Sequence, residues 1–211
     1  MLQLEEVSFR YSGRPVLSGF SLEARAGEVL ALVGPTGSGK TTVLRLLAGL
    51  EIPESGRVLV GGKLAAADGR LLIPPERRGV GMVFQRLALW PHLTVAGSLE
   101  FVMAGRVPDG ERAIRAGAIL AELGIADLAG RRPAELSGGQ SALAAVARAL
   151  AQDPRALLLD EPFGGLDPEL RAATRAKVFA LVRSRKLAAV YVSHLREEAE
   201  EAADRVAGMT V

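Results

Sequence analysis

The octapeptide Gly34-Pro35-Thr36-Gly37-Ser38-Gly39-Lys40-Thr41 constrains this chain more than any other stretch. It matches G-x-x-x-x-G-K-[ST], with the apolar run "EVLALVG" (28–34) before it and "KTTVLRLLAGL" after it. A buried strand that turns through glycines into a helix aims backbone N–H groups and the positive end of the helix dipole at one point. That point suits the phosphates of a nucleotide. Lys40 is placed to reach the β- and γ-phosphates, the Thr41 hydroxyl to ligate Mg²⁺, and Thr42 to complete the phosphate-binding set. A glycine-rich turn with no ligand is the plainer alternative, and the strand–loop–helix context favours the phosphate site.

The rest of the chain supplies a frame for that loop. Residues 2–9 alternate in part and suggest a strand, 56–63 a strand and turn, and 79–84 a buried strand. "RALLLDE" (155–161) and "LAAVYVS" (187–193) are continuous apolar strands, with a helix expected between them over 169–186. Residues 86–135 change character, with helices expected at 96–104 and 111–123, and 141–150 reads as a further helix. The expected fold is α/β: a mainly parallel sheet with helices on both faces and an N-terminal antiparallel β part. It forms a single domain over 1–211 with a helical subdomain inserted at 86–150. The chain is 49% hydrophobic but only 4% aromatic, so alanine, leucine and valine must fill its core.

Composition removes several function classes. Lys+Arg number 26 against 24 Asp+Glu, and this near balance gives no argument for a nucleic-acid surface. Without cysteine there is no disulfide and no Cys-ligated metal. The opening "MLQLEEVSFR" carries acids early and does not read as a secretory signal. No apolar run approaches the ~18 residues of a membrane span. The expectation is a soluble cytosolic protein that can attach peripherally to a membrane partner.

Two further stretches carry chemistry. "ALLLDEP" (156–162) places Asp160 and Glu161 at the end of a buried strand, where open parallel sheets bind ligands. Asp160 suits the Mg²⁺ shell through water. Glu161, aimed the opposite way if the strand continues, is a candidate general base for an attacking water. An acidic turn before Pro162 explains one acid better than two. "LSGGQ" (136–140) opens the alanine-rich helix, and Ser137 and Gln140 form an S-x-x-Q capping box. Gly138 and Gly139 then occupy the first turn, each about 1 kcal/mol worse there than alanine. A bare, capped helix start is an anion site. It suits either another phosphate or a partner's nucleotide, and the residues alone leave both open.

Taken in order, "GPTGSGKT", "LSGGQ", "LLLDEP", "GGLD" and "VSH" resemble the ATP-binding cassette of ABC transporters over nearly the whole chain. The resemblance implies two cassettes meeting head to tail as a homodimer. Ser137, Gly138, Gly139 and Gln140 of one copy then cover the ATP held by the Lys40 loop of the other. It also implies that Tyr11 lies against adenine, where an ordinary strand-end tyrosine is the simpler reading. Gln85, in "MVFQ", matches the glutamine that touches Mg²⁺ or water and senses the membrane partner. Asp167, in "GGLDPEL", matches the loop at the dimer interface and equally suits a helix N-cap before Pro168. His194 matches the histidine that contacts the γ-phosphate. The chain departs from the family at Ser141-Ala142-Leu143, at the two glycines of "GGLD", and at Leu195, where an aspartate is frequent.

"PPERRGVGMVFQRLALWPHLTV" (74–95) resembles importer cassettes, those serving sugars, polyamines, iron, molybdate or thiamine. This implies a subunit that hydrolyses ATP to power solute import through a separate integral-membrane permease, with a substrate-binding protein. It would sit peripherally on the cytoplasmic side of the cell membrane. Leu87, Leu89, Trp90 and Leu93 then line a groove for a permease helix, or else belong to the subdomain core. Many sugar-type relatives carry a C-terminal regulatory domain; with the chain stopping at Val211, such regulation is expected to be absent or truncated. Two competing readings are a soluble cassette acting on ribosomes or DNA, and a phosphate-loop small-molecule kinase. The first usually needs tandem cassettes or long coiled coils, and the second has no use for LSGGQ.

Overall fold

A computed structural model describes residues 1–210. Two compact units make up the chain. The first comprises Met1–Met82, Arg155–Glu161 and Val182–Val211, and the second Val83–Pro154 and Pro162–Leu181.

The first unit is built on two sheets. β1 (Leu2–Tyr11), β2 (Arg14–Ala24), β4 (Ser55–Val60), β5 (Lys63–Ala67) and β6 (Arg70–Leu71) form one in the order β2-β1-β4-β5-β6. Its pairings are antiparallel throughout. The other sheet runs β10-β3-β9-β8-β7, from β3 (Val29–Val33), β7 (Val80–Val83), β8 (Ala156–Asp160), β9 (Ala188–Ser193) and β10 (Arg205–Gly208). β10–β3, β3–β9 and β9–β8 pair in parallel. Every residue of β3, β8 and β9 is buried. Strands covered on both faces tolerate no polar alternation, which is why they read as unbroken apolar runs.

Five elements of this unit escape sequence patterning, the two-residue β6 among them. β2 is broken by Ser18-Gly19 and pairs irregularly with β1, whose register shifts between Leu4 and Val7 and again between Val7 and Phe9. Glu6, inside the first shift, has φ 48°. Such bulges destroy the period-two signal. β5 is alanine-rich, β10 is four residues long, and α6 (Arg196–Ala202) is mostly acidic with Ala199 as its buried residue.

α1 (Lys40–Ala48) follows β3 and buries Val43, Leu44, Leu46 and Leu47. It ends at Gly49, whose φ of 85° closes the last turn with its N–H on the Leu46 carbonyl. A side chain at Gly49 would also strike Arg78, whose Nε lies 2.6 Å from the position of an added Cβ. The buried Arg78 guanidinium takes over the free end of this helix. Its NH1 donates to Leu46 O (2.7 Å) and Leu47 O (2.9 Å), and its Nε to Ile73 O (3.0 Å). Burial pushes its pKa down to about 10. A cation at a helix C-terminus faces the negative end of the dipole, which offsets part of that desolvation.

In the second unit α2 (Val95–Met103), α3 (Asp109–Glu122) and α4 (Gly138–Leu150) pack on one another. Leu99, Met103, Leu120 and Val146 are fully buried. Thr94 caps α2 by accepting from Gly97 N at 3.0 Å. α4 begins at Gly138 with Ser137 as its N-cap, so both glycines lie in the first turn, as the capping box predicts. α5 (Pro168–Ser184) follows the loop after β8. Among the described residues, no helix is long and apolar enough to cross a membrane.

Replacing Arg78 with methionine keeps the apolar stem but strands the carbonyls that end α1. We expect a loss of about 2–4 kcal/mol of stability, read as a lower urea midpoint with unchanged slope.

Candidate functional site

The loop between β3 and α1 is shaped by glycines with specific duties. Gly37 and Gly39 have φ of 86° and 93°, the left-handed region that side chains avoid. Gly34 is required for a different reason. An added Cβ there would lie 2.5 Å from Met209 O and 2.9 Å from Ser38 Oγ. The segment after β10 thus presses on the loop, held by the Met209 N–H on Val33 O at 2.7 Å.

Two polar groups of this loop bear on what it can bind. The buried Lys40 ammonium folds back and donates to Gly34 O (2.7 Å) and Pro35 O (2.8 Å). Ser38 Oγ is buried and has no hydrogen-bond partner. Buried hydroxyls are nearly always paired, so an orphan here marks a place where a ligand atom or water completes the set. Pro35, Thr36 and Gly37 are exposed at the tip, and Thr42 is buried beneath.

Thr41 Oγ1 donates to Asp160 Oδ1 at 3.1 Å, joining the start of α1 to the end of β8. Burial pushes the Asp160 carboxyl above its ordinary value. The Thr41 hydrogen bond opposes that shift, the Glu161 charge adds to it, and Arg45 and Lys40 oppose it. A hydroxyl and a carboxylate converging beside a phosphate loop are hard oxygen donors of the kind Mg²⁺ takes. Among the described residues, no group of three or more His, Asp or Glu could hold a metal unaided.

β8 stops at Asp160, so strand alternation does not aim Glu161. Instead Glu161 has φ 46°, a left-handed backbone costing about 1–3 kcal/mol in a residue with a side chain, and such strain clusters at functional sites. Its carboxylate is one-fifth exposed, with Oε2 3.4 Å from His194 Nδ1 just past β9. Tyr11 ends β1. Its ring meets Phe9 edge-on at 4.8 Å, its hydroxyl donates to Glu51 Oε1 at 2.9 Å, and Arg45 approaches that hydroxyl at 3.4 Å.

Gln85, Ser137–Gln140 and Asp167 lie in the second unit. Gln85 is exposed, two residues past β7. Ser137 and Gln140 close a reciprocal box: Gln140 N donates to Ser137 Oγ (3.3 Å) and Ser137 N to Gln140 Oε1 (2.9 Å). Asp167 Oδ1 accepts from Leu170 N at 3.0 Å and so caps α5. The two glycines of α4 also have neighbours that sequence reasoning missed. An added Cβ at Gly138 would lie 2.8 Å from Leu166 Cδ2, and one at Gly139 3.2 Å from the Leu170 side chain. Close packing within the chain therefore also asks for small residues there, and no local pattern announces a contact across so many residues.

A buried strand, a glycine loop, a Lys-Thr pair at the helix start and an acid ending a strand of the same sheet define a phosphate-loop nucleotide-binding fold. The ABC transporter family matches residues 17–164, and the chain belongs to that family, which implies ATP binding. It is 46% identical over 210 residues to the Fe(3+) ions import ATP-binding protein FbpC of Serratia marcescens, covering 99% of this chain and 60% of that protein. It is 45% identical over 204 residues to the spermidine/putrescine import ATP-binding protein PotA of Methylococcus capsulatus, covering 96% of this chain and 52% of that one. The chain thus spans little more than half the length of these relatives. Among solved structures, cbiO1 from Clostridium perfringens, part of the ABC transporter complex cbiONQ, matches 99% of this chain and 84% of its own with TM-score 0.88 at 27% identity. A nucleotide-free ATP-binding cassette from an ABC transporter shares the fold with TM-score 0.85 at 24% identity, over 99% of this chain and 87% of that one.

Asp160 yields a test of sign. Its carboxyl holds its proton to higher pH when folded than when unfolded, so stability falls as pH rises through the interval just above 3.8. Asp160→Asn should remove that fall and leave the nucleotide-free protein more stable than wild type at neutral pH. Thermal melts of both proteins across the interval check it.

Proposed function

We propose that this chain is the ATP-hydrolysing subunit of an ABC import system, a single cassette over 1–211 with a helical subdomain inserted at 86–150. The observation that carries it is the buried Lys40 ammonium, held only by Gly34 O and Pro35 O, beside the Thr41–Asp160 pair and the Glu161–His194 pair. In this reading Lys40 leaves those carbonyls for the β- and γ-phosphates of ATP. The N–H groups of Gly34–Thr42 wrap the phosphates, and Tyr11 lies against adenine. Thr41 and Asp160, with Gln85, would hold Mg²⁺, which when bound neutralises charge on the phosphate oxygens.

Hydrolysis then needs a water aligned with the γ-phosphorus. Glu161 takes a proton from that water as its oxygen bonds to phosphorus and the bond to the β-phosphate oxygen breaks, giving ADP and phosphate. His194, beside Glu161, holds the γ-phosphate and the water in line. Ser137, Gly138, Gly139 and Gln140 of a second copy cover the nucleotide, with Asp167 at the interface between copies. ATP binding closes this homodimer and hydrolysis reopens it. A dipole aimed at the γ-phosphate from a partly buried helix start contributes up to about 2 kcal/mol to that closure.

The force is delivered to a separate integral-membrane permease, with a substrate-binding protein choosing the solute. The chain sits peripherally on the cytoplasmic face of the membrane. Leu87, Leu89, Trp90 and Leu93 form the docking groove. Identity near 45% with ferric-iron and spermidine/putrescine import proteins supports import over export.

Glu161→Gln should bind ATP normally, hydrolyse it about 10²–10⁴-fold more slowly and accumulate as a dimer. Size-exclusion chromatography at saturating ATP checks this, and a variant that stays monomeric would remove the two-site sandwich. Lys40→Ala should lose nucleotide affinity in an equilibrium titration. Trp90→Ala should leave ATP affinity intact but separate turnover from transport in a reconstituted complex, and unchanged transport would remove the groove.

A further inference from the structure

Arg148 sits in the last turn of α4, the helix that opens with Ser137-Gly-Gly-Gln. A cation there already complements the helix dipole, and an exposed side chain would suffice for that. Arg148 is instead half-buried, and burial pushes its pKa down. A guanidinium taken from water needs its donors matched elsewhere. They are matched on the loop that follows Gln85. NH2 donates to Leu87 O at 2.8 Å and NH1 donates to Ala88 O. Its Cζ lies 4.9 Å from the centre of the Trp90 ring, a cation–π distance, and Trp90 meets Phe101 of α2 edge-on at 5.2 Å.

The loop would not keep this shape unaided. Ala88 has φ 49°, which an alanine seldom adopts outside a constrained turn. Arg148 holds the carbonyls of Leu87 and Ala88 together, so one side chain fixes the backbone at the kink and the ring two residues beyond it. Only the planar guanidinium fork can serve two carbonyls and stack on an indole at once; an ammonium cannot.

We infer that Arg148 is the positioning residue that ties the helix bearing Ser137–Gln140 to residues 87–90, and so sets the surface this chain offers to the permease. The inference rests on the transport reading given above. Through Arg148, a shift of α4 is carried to Trp90, and a load on Trp90 is carried to α4.

Trp90 is the sole tryptophan of the chain, so its fluorescence reports on this contact directly. Two readouts test the role: acrylamide quenching of Trp90 in the full chain, and ATP turnover in the complex purified with its permease, set against turnover of the chain alone. Arg148→Lys keeps the charge and stem, and Arg148→Met keeps only the stem. Both should melt cooperatively, bind ATP as wild type does and keep basal turnover. Both should expose Trp90 to quencher with a red-shifted emission, Arg148→Met more than Arg148→Lys. Permease-stimulated turnover should fall about tenfold in Arg148→Met, the scale expected for lost hydrogen bonds to a charged group. Adding Ala88→Gly to Arg148→Lys, which makes the left-handed kink free of strain, should restore part of both signals.

Wild-type quenching in Arg148→Met overturns the brace. Raised quenching with full permease stimulation overturns its part in coupling. A wild-type chain that its co-purified permease does not stimulate overturns the transport reading and this role with it, a result distinct from the other two.

Discussion

The hydrogen bond from the Thr41 hydroxyl to the Asp160 carboxylate joins positions 119 residues apart, and the arrangement of the site depends on it. One partner opens the helix after the glycine loop, and the other ends a fully buried strand. The parallel sheet makes the meeting possible. β3 and β8 flank β9 and run in the same direction, so their C-terminal ends, with the loops that leave them, lie along one edge. His194 reaches the same edge from β9 and meets Glu161, the residue after Asp160. Long apolar strands thus place a lysine, a threonine, two acids and a histidine together while contributing no chemistry of their own.

Burial gives this edge its electrostatic character. Asp160 is desolvated and keeps only partial compensation from Thr41, and Glu161 beside it adds like charge. Both effects disfavour its charged form. Lys40 is satisfied by two carbonyls of its own loop, neutral partners that a phosphate outcompetes because hydrogen bonds to ionised acceptors are the stronger. In the same loop the buried Ser38 hydroxyl has no hydrogen-bond partner among the described residues. Two of the left-handed non-glycine residues, Glu161 and Ala88, lie at the proposed general base and at the bend after Gln85.

Arginines perform a second task, that of finishing helices and loops. Arg78 closes the end of α1, and Arg148 holds the carbonyls of Leu87 and Ala88. Arg78 is buried and Arg148 half-buried, and each offsets the cost of that burial by donating to backbone oxygens. In an aromatic-poor chain, polar clasps of this kind set loop geometry that packing alone would leave loose.

Local rules were enough to read the phosphate loop, the acids after "ALLL", the capping box of Ser137 and Gln140, and the buried strands β3, β8 and β9. Each is dictated by neighbours in sequence: glycines that permit a turn, an S-x-x-Q spacing that caps a helix, apolar runs that must be covered on both faces. What local rules could not reach was set by contacts between distant residues. β2 hides behind bulges, and the strands β5, β6 and β10 carry too little hydrophobic pattern to be seen. Gly34 owes its identity partly to the Met209 carbonyl, and Gly138 and Gly139 owe theirs partly to Leu166 and Leu170. Glu161 owes its aim to a left-handed turn instead of a continuing strand. The sequence by itself determined which chemical groups are present and which element carries each. Only the tertiary structure decided which of them touch, because a contact between far-separated residues depends on how strands pair, and pairing leaves no mark on either residue alone.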